Sequence, residues 1–377
     1  NHEDYKAFKK AQKGWLADYA LYMAVKDTFE GKPISEWPDK DIRARDKKSL
    51  TKYKKELKNE IEFWSFIQYL FFKQWNELKA YANSLGIKLI GDMPIYVSGD
   101  GSDIWSSPEN FLVDDKFIFT HVAGCPPDDF SEDGQFWGNP LYDWSAMKAS
   151  KYSWWVKRLK FAANLFDCVR IDHFRGFSGF FSIPAGKMPK DGKWKKGPGM
   201  DLFKVINRSV PKLEIIAEDL GFIDKDVKKL LSDSGYPGMK ILQFAFGSGS
   251  DNPYLPHNHI ENCVVYTGNH DNDTSCGWFK SISDDVREQA RVYCSLNGEE
   301  GYVWGLIKAA YSSVAKLAII PMQDFLDLDS DARMNTPATI GNWTWRVDKN
   351  LLNPSLSHKI SQISYIYGRE LKPEPTK

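Results

Sequence analysis

Short apolar runs alternate along this chain with longer amphipathic stretches, and this alternation predicts an α/β fold. Runs rich in Val and Ile predict buried strands at 88–97, 166–172, 213–219, 238–246, 262–268 and 316–323. Apolar residues at helical spacing predict helices between these strands, at 151–165, 201–208, 225–234, 284–296 and 301–315. Because helices separate the strands, we expect the strands to pair in parallel.

The segment before the first strand, residues 1–87, is predicted to be a helical subdomain. Residues 1–30 have a helical pattern, whereas residues 31–51 are polar and loop-like. A long amphipathic helix follows, with apolar residues at steps of three and four: Leu57, Ile61, Trp64, Ile67, Phe71, Trp75 and Leu78. We expect this apolar stripe to pack in the core.

Five of the apolar runs end in an acidic residue. The acids are Asp92, Asp172, Glu218, Asp271 and Asp324. The carboxyl ends of parallel strands meet on one rim of a (β/α) barrel, and such barrels keep their active sites on that rim. The sequence therefore predicts a TIM-type (β/α)₈ barrel over residues 88–377, although only six of the eight strands can be counted.

Two segments of the predicted barrel carry no clear periodicity. Residues 97–150 form an insertion rich in aromatic residues, and an insertion of this length inside a domain is usually functional or disordered. Its aromatic content argues against disorder. Since it follows the carboxyl end of a strand, we expect it to cover the mouth of the barrel. Residues 183–200, rich in Gly, Pro and Lys, are predicted to be a loop.

The composition of the chain bears on which binding partners and which cellular location can be expected. Lys and Arg number 50, as do Asp and Glu, so the chain has no net charge that would attract nucleic acid or an anionic membrane. No apolar run approaches the length of a membrane-spanning helix. The five cysteines form no CxxC pair, which favours reduced thiols and a cytoplasmic location. Many of the 14 Trp lie in loop-like segments, where a flat ring suits a sugar face.

The strand-end residues carry a specific chemistry. Arg170 and Asp172 lie two apart on one strand, so both point to one face, and an adjacent Arg keeps a carboxylate ionised. Glu218 follows three apolar residues, Ile215, Ile216 and Ala217, and burial there would raise its pKa, as a proton donor requires. Two carboxyl groups with diverging pKa values are what glycosidic bond cleavage needs. A single Asp at a strand end is more often a helix cap than a catalyst, and Arg170 and Asp172 alone could form a structural ion pair.

At these residues the chain resembles the amylomaltases, the 4-α-glucanotransferases of glycoside hydrolase family 77. The motifs that carry the resemblance are RIDHFRG, AEDLG and TGNHDNDT, and further similar segments are GDMPIYV, GCPPDDFSEDGQFWGNPLY, GMKILQFAF and NTPATIGNWTWR. The resemblance runs from about residue 15 to residue 346. Asn269 and Ala338 depart from the family pattern. The family's first two barrel strands have no counterpart, so the chain is expected to be N-terminally truncated.

The resemblance implies a role for each strand-end group. Asp172 would be the nucleophile, Glu218 the acid/base and Asp271 the stabiliser of the transition state. The substrate-binding residues would be Asp92, Arg170, His270, Trp137 and Asn139, with Arg170 also orienting the nucleophile. The 124–144 segment would cover the cleft.

The implied activity is retaining transfer of α-1,4-glucan segments between maltooligosaccharides, without a metal or an organic cofactor. Three alternatives remain open from the sequence. They are an α-amylase-like hydrolase, a metal-dependent barrel lyase whose strand-end acids hold Mg²⁺, and a catalytically inactive glucan-binding protein. The sequence does not set the oligomeric state or the preferred acceptor.

Overall fold

A computed structural model describes residues 2–127, 133–221, 223–337 and 339–370. The chain divides into two compact units, Asn1–Gly235 and Tyr236–Lys377, which are described separately. Ala338, one of the two noted departures, and part of the 97–150 insertion lie outside the described residues. None of the helices within these ranges combines the length and the apolar character that crossing a membrane requires.

The first unit opens with five helices. They are α1 His2–Ala11, α2 Leu16–Thr28, α3 Lys40–Arg43, α4 Lys47–Glu56 and α5 Lys58–Ser84. The prediction of a loop over 31–51 is wrong in its second half, where α3 and α4 begin. Asp39 and Asp46 explain the difference, because each accepts hydrogen bonds from two backbone N–H groups of the helix that follows it.

The apolar stripe predicted on α5 is only partly buried. The buried residues of this helix are Ser65, Tyr69 and Phe72, and the rings of Tyr69 and Phe72 pack on Phe8 of α1. Phe71 is exposed by 47%. The prediction that the whole stripe packs in the core is therefore wrong, because the buried face is rotated to one side of it.

The remaining strands and helices of the first unit follow in order. The strands are β1 Ile90–Pro94, β2 His121–Cys125, β3 Gln135–Pro140, β4 Cys168–Asp172, β5 Gly179–Pro184, β6 Lys193–Lys196 and β7 Glu214–Ala217. The helices are α6 Ser102–Ser106, α7 Trp144–Ala149, α8 Ser153–Leu165, α9 Met200–Ser209 and α10 Lys225–Ser234.

A parallel sheet of β1, β4 and β7, with β4 in the centre, positions the candidate site. Asp92 of β1 stands opposite Arg170 of β4 in the register. Ile171 of β4 stands opposite Ala217 of β7. The residues that follow them, Asp172 and Glu218, are therefore also neighbours. The backbone N–H of Glu218 continues this pairing by donating to the carbonyl of Ile171. The register thus brings the two predicted catalytic carboxyl groups to one level of the sheet.

A second, antiparallel sheet in the order β3, β2, β5, β6 was not predicted. The segment 183–200, predicted to be a loop, contains β6, and the aperiodic insertion contains β2 and β3. All four residues of β6 are exposed, so no apolar alternation marks them. Lys residues on such an edge strand oppose pairing with other chains.

The second unit contains a parallel sheet in the order β10, β9, β8, formed by β8 Gly238–Ile241, β9 Cys263–Tyr266 and β10 Leu317–Ile319. Its helices are α11 Ser275–Ser281, α12 Asp284–Tyr293, α13 Tyr302–Ser312, α14 Met322–Phe325 and α15 Pro354–Ile366. Cys263 and Val265 pack with Leu242 and Ala310 in the core. The strand predicted over 238–246 ends early, and a 3₁₀ turn over Leu242–Phe244 follows it. The α/β alternation predicted from the sequence is present in both units.

Candidate active site

Arg170 lies at the centre of the candidate site in the first unit, and only 7% of its surface is exposed. Its Nη1 donates to both carboxylate oxygens of Asp92, at 2.6 and 2.7 Å. Its Nη2 lies 2.9 Å from Oδ1 of Asp172. Burial disfavours the charged guanidinium, but the negative charges of Asp92 and Asp172 outweigh it and raise the pKa of Arg170. Arg170 is therefore a permanent cation that holds two carboxylates.

Asp92 differs from its predicted position at the end of a strand. It lies inside β1, opposite Arg170, because the strand continues to Pro94. Both oxygens of its carboxylate accept from the single nitrogen Nη1 of Arg170, in charge-assisted hydrogen bonds. The Asp92 side chain is 43% exposed, and the Asp172 side chain is 41% exposed. Both carboxylates are thus accessible to a substrate while one face of each is held by Arg170.

Glu218 occupies a buried position directly after β7. One carboxylate oxygen accepts a hydrogen bond from the backbone N–H of His173, and the other accepts from Leu220, each at 2.7 Å. Burial raises the pKa of Glu218 to about 7, and the negative charge of Asp172 adds to the effect. This confirms the raised pKa expected from the sequence. A carboxyl group with this pKa can both donate and accept a proton near neutral pH.

His173, to which the sequence analysis assigned no role, links Asp172 to Glu218. Its backbone is left-handed, with φ of 53°, an uncommon conformation for a residue with a side chain. This turn directs the His173 N–H at the Glu218 carboxylate. Burial lowers the pKa of the imidazole to about 4, so the ring is neutral at physiological pH. Its position directly after Asp172 in RIDHFRG was the only signal in the sequence.

The His173 ring also supports the aromatic residue predicted to bind substrate. The rings of Trp137, on β3, and His173 meet at right angles, with their centres 4.8 Å apart. Trp137 Nε1 donates to Gln135. Asn139, two residues further on, donates from Nδ2 to the carbonyl of Val97 at 3.0 Å. The antiparallel sheet thereby brings Trp137 to the turn that follows Asp172, while the Asn139 amide fixes β3 to the segment after β1.

His270 and Asp271 lie in the second unit, in the loop after β9. The Asp271 carboxylate accepts from Nδ2 of Asn335 at 2.6 Å, and its other oxygen lies 3.3 Å from Nε2 of His270. Arg333 donates to the Asp271 carbonyl at 2.6 Å. The Trp343 ring lies against the His270 ring, with the centres 5.2 Å apart. The approach of this group to Asp172 and Glu218 stays a prediction.

Asp324 has a structural position, unlike the other strand-end acids. It is 1% exposed and lies in α14, beyond the end of β10. Its carboxylate accepts hydrogen bonds from the Thr267 hydroxyl and from the Ser275 hydroxyl and N–H. Burial raises its pKa. The sequence pattern therefore placed Asp324 wrongly on an open rim, because apolar runs do not reveal where a strand stops and a helix begins.

Comparison with known proteins finds 4-alpha-glucanotransferases both by family and by individual relatives. The family described as 4-alpha-glucanotransferase matches residues 1–352. The 4-alpha-glucanotransferase of Clostridium butyricum is 48% identical over 97% of this chain and 76% of its own length. That of Thermus thermophilus is 45% identical over 93% of this chain and 72% of its own length.

Solved structures agree with the sequence relatives. The amylomaltase of Streptococcus agalactiae in complex with acarbose gives a TM-score of 0.94 at 40% identity, over 97% of this chain and 74% of that one. The amylomaltase of Corynebacterium glutamicum, at 18% identity and a TM-score of 0.75, shares the fold. These similarities confirm the predicted fold class, an α/β protein of the TIM-barrel type. The chain therefore belongs to glycoside hydrolase family 77, the 4-alpha-glucanotransferase family.

Proposed function

We propose that this protein is a retaining 4-α-glucanotransferase that moves α-1,4-glucan segments between maltodextrins, including those derived from starch or glycogen. Family membership supports the reaction class. The observation that carries the proposal is the pair of carboxyl groups at the ends of β4 and β7, which lie in opposite environments. Asp172 is held by a cation and exposed, whereas Glu218 is buried with a raised pKa.

In the first step, a carboxylate oxygen of Asp172 attacks the anomeric carbon of the donor. The glycosidic carbon–oxygen bond breaks, and the proton of Glu218 passes to the departing 4-oxygen. In the second step, the 4-hydroxyl of an acceptor glucan gives its proton to Glu218. The acceptor oxygen then displaces Asp172 from the anomeric carbon, so the α configuration is retained.

The other residues are proposed to position the sugar or the reacting groups. Arg170 keeps Asp172 ionised and oriented, and Asp92 acts through Arg170 as well as on sugar hydroxyls. Asp271 stabilises the transition state, with His270 beside it on the hydroxyls. In the 97–150 insertion, Trp137 and Asn139 contribute to a cover that favours an acceptor sugar over water.

Two further assignments complete the proposal. Residues 1–87 would be a helical subdomain attached to the barrel over 88–377. A cytoplasmic location would suit a chain with five cysteines, of which Cys168 and Cys263 are buried.

Incubation with maltotriose tests the proposal. A transferase yields glucose and longer dextrins while the number of reducing ends stays constant. If reducing ends accumulate as fast as bonds are cleaved, the amylase-like alternative is correct. If no bond is cleaved but amylose is bound, the protein is a glucan-binding protein. Asp172→Asn is the matched control, since it removes the nucleophile with little change in volume.

A further inference from the structure

An open groove lies on the first unit, and none of Asp92, Asp172 and Glu218 lines it. Its volume is about 1000 Å³, at the upper end of the range for ligand pockets. Its walls come from the start of α7, the turn after β4, the edge strand β6 with the loop after it, and α10. The proposed reaction makes no use of this groove.

An aromatic ring stands on one wall of the groove. Trp194, on β6, is 44% exposed. The guanidinium of Arg175 lies 3.9 Å from the centre of its ring, and Phe181 of β5 meets it edge-on at 5.2 Å. Arg175 is itself held by Asp224 at 2.8 Å. Arg175 and Phe181 therefore hold the Trp194 ring in place while 44% of its surface stays exposed, and this exposed part offers an apolar face on which a ligand can stack.

The charged lining of the groove is mixed, with five basic and four acidic residues. Lys148 lies 2.6 Å from Asp201, and Lys229 lies 2.8 Å from Asp233. Together with the pair of Arg175 and Asp224, these side chains present cations and anions side by side. Such a lining attracts neither an anion nor a cation strongly. It offers both donors and acceptors, which suits a neutral ligand with many hydroxyl groups.

We propose that this groove is an accessory binding site for an α-glucan chain, with a glucose ring stacked on Trp194 and its hydroxyls on the flanking ion pairs. The choice of α-glucan as the ligand rests on the proposed function. A second contact on the same polymer increases the affinity for long glucans, because it raises the effective concentration of the chain at the protein. Short substrates that occupy only the catalytic site gain nothing from it.

Binding of soluble amylose, measured by calorimetry in an Asp172→Asn background that prevents turnover, tests the inference. Trp194→Ala should weaken amylose binding about threefold to tenfold, as expected for the loss of one aromatic contact. Trp194→Phe should retain most of the affinity. Ser145→Gln adds bulk on the exposed wall without removing any packing, so it should weaken binding even if Trp194→Ala fails to fold. Tyr365→Ala, which removes a 73% exposed ring from α15, is the matched control and should have no effect.

Turnover of maltotriose by the same variants with Asp172 intact should be unchanged. Unaltered amylose binding in both Trp194→Ala and Ser145→Gln would overturn the accessory site. A parallel fall in amylose binding and maltotriose turnover would also overturn it, because the groove would then act through the catalytic site. Failure of the unmodified protein to disproportionate maltotriose would instead refute the proposed function, and the amylose measurement would still decide whether the groove binds glucan.

Discussion

Replacing Glu218 by Gln should abolish acid/base catalysis and also remove a titration from the folded protein. The pKa of this carboxyl group rises from 4.5 to about 7, mainly through burial. The difference corresponds to about 3 kcal/mol, since one pKa unit is about 1.4 kcal/mol. The folded state binds the proton more tightly than the unfolded state does. The stability from Glu218 is therefore fully present below pH 4.5 and is lost as the pH rises through about 7.

The kinetic consequence concerns the alkaline side of the pH profile. Since Glu218 must be protonated to donate to the leaving oxygen, kcat/KM for maltotriose should fall above pH 7, with an apparent pKa of about 7. Glu218→Gln should lower the rate roughly 10²–10⁴-fold and eliminate this alkaline fall. Glu214→Gln, on the exposed end of the same strand, is the matched control and should keep both the rate and the profile.

α-Maltosyl fluoride separates the two roles of Glu218. Fluoride departs with little help from a proton donor, so the first step should be nearly normal in Glu218→Gln. The second step still needs a base, so the fluoride should appear as a burst followed by slow turnover. An equal loss with maltotriose and with the fluoride, without a burst, would refute the assignment and indicate a general disruption of the site. An unchanged alkaline limb in the variant would show that another group titrates there.

Three further experiments test the roles of Asp92 and Asp324 and the independence from metal ions. Asp92→Asn should lower kcat about tenfold with little change in KM if Asp92 acts by holding Arg170, whereas a rise in KM alone would assign it to sugar hydroxyls. Asp324→Asn should lower the free energy of unfolding in urea by about 2–3 kcal/mol, because its buried carboxylate accepts three hydrogen bonds, and specific activity should persist in the folded fraction. Treatment with EDTA should leave maltotriose transfer unchanged, and a loss restored by Mg²⁺ would favour the metal-dependent lyase.

Local patterns determined much of the fold. Each predicted strand of the parallel sheets is present, although shorter, because a buried strand needs an apolar run wherever it lies in the chain. The antiparallel sheet, in contrast, was not predicted from the sequence. β2 and β3, with the sequences HVAGC and QFWGNP, have no continuous apolar run, and the exposed β6 carries no apolar alternation. Without either pattern, a window of a few residues gives no signal for a strand.

For the candidate site as well, some features could be predicted from the sequence and others could not. The sequence by itself determined that Asp172 ends a buried strand beside Arg170, and that Glu218 enters a setting that raises its pKa, because both depend on the adjacent residues. Only the tertiary structure decided that Arg170 binds Asp92 and that the His173 N–H binds Glu218, since these contacts depend on the register of three strands distant in sequence. A shift of one residue would turn each side chain to the opposite face of the sheet.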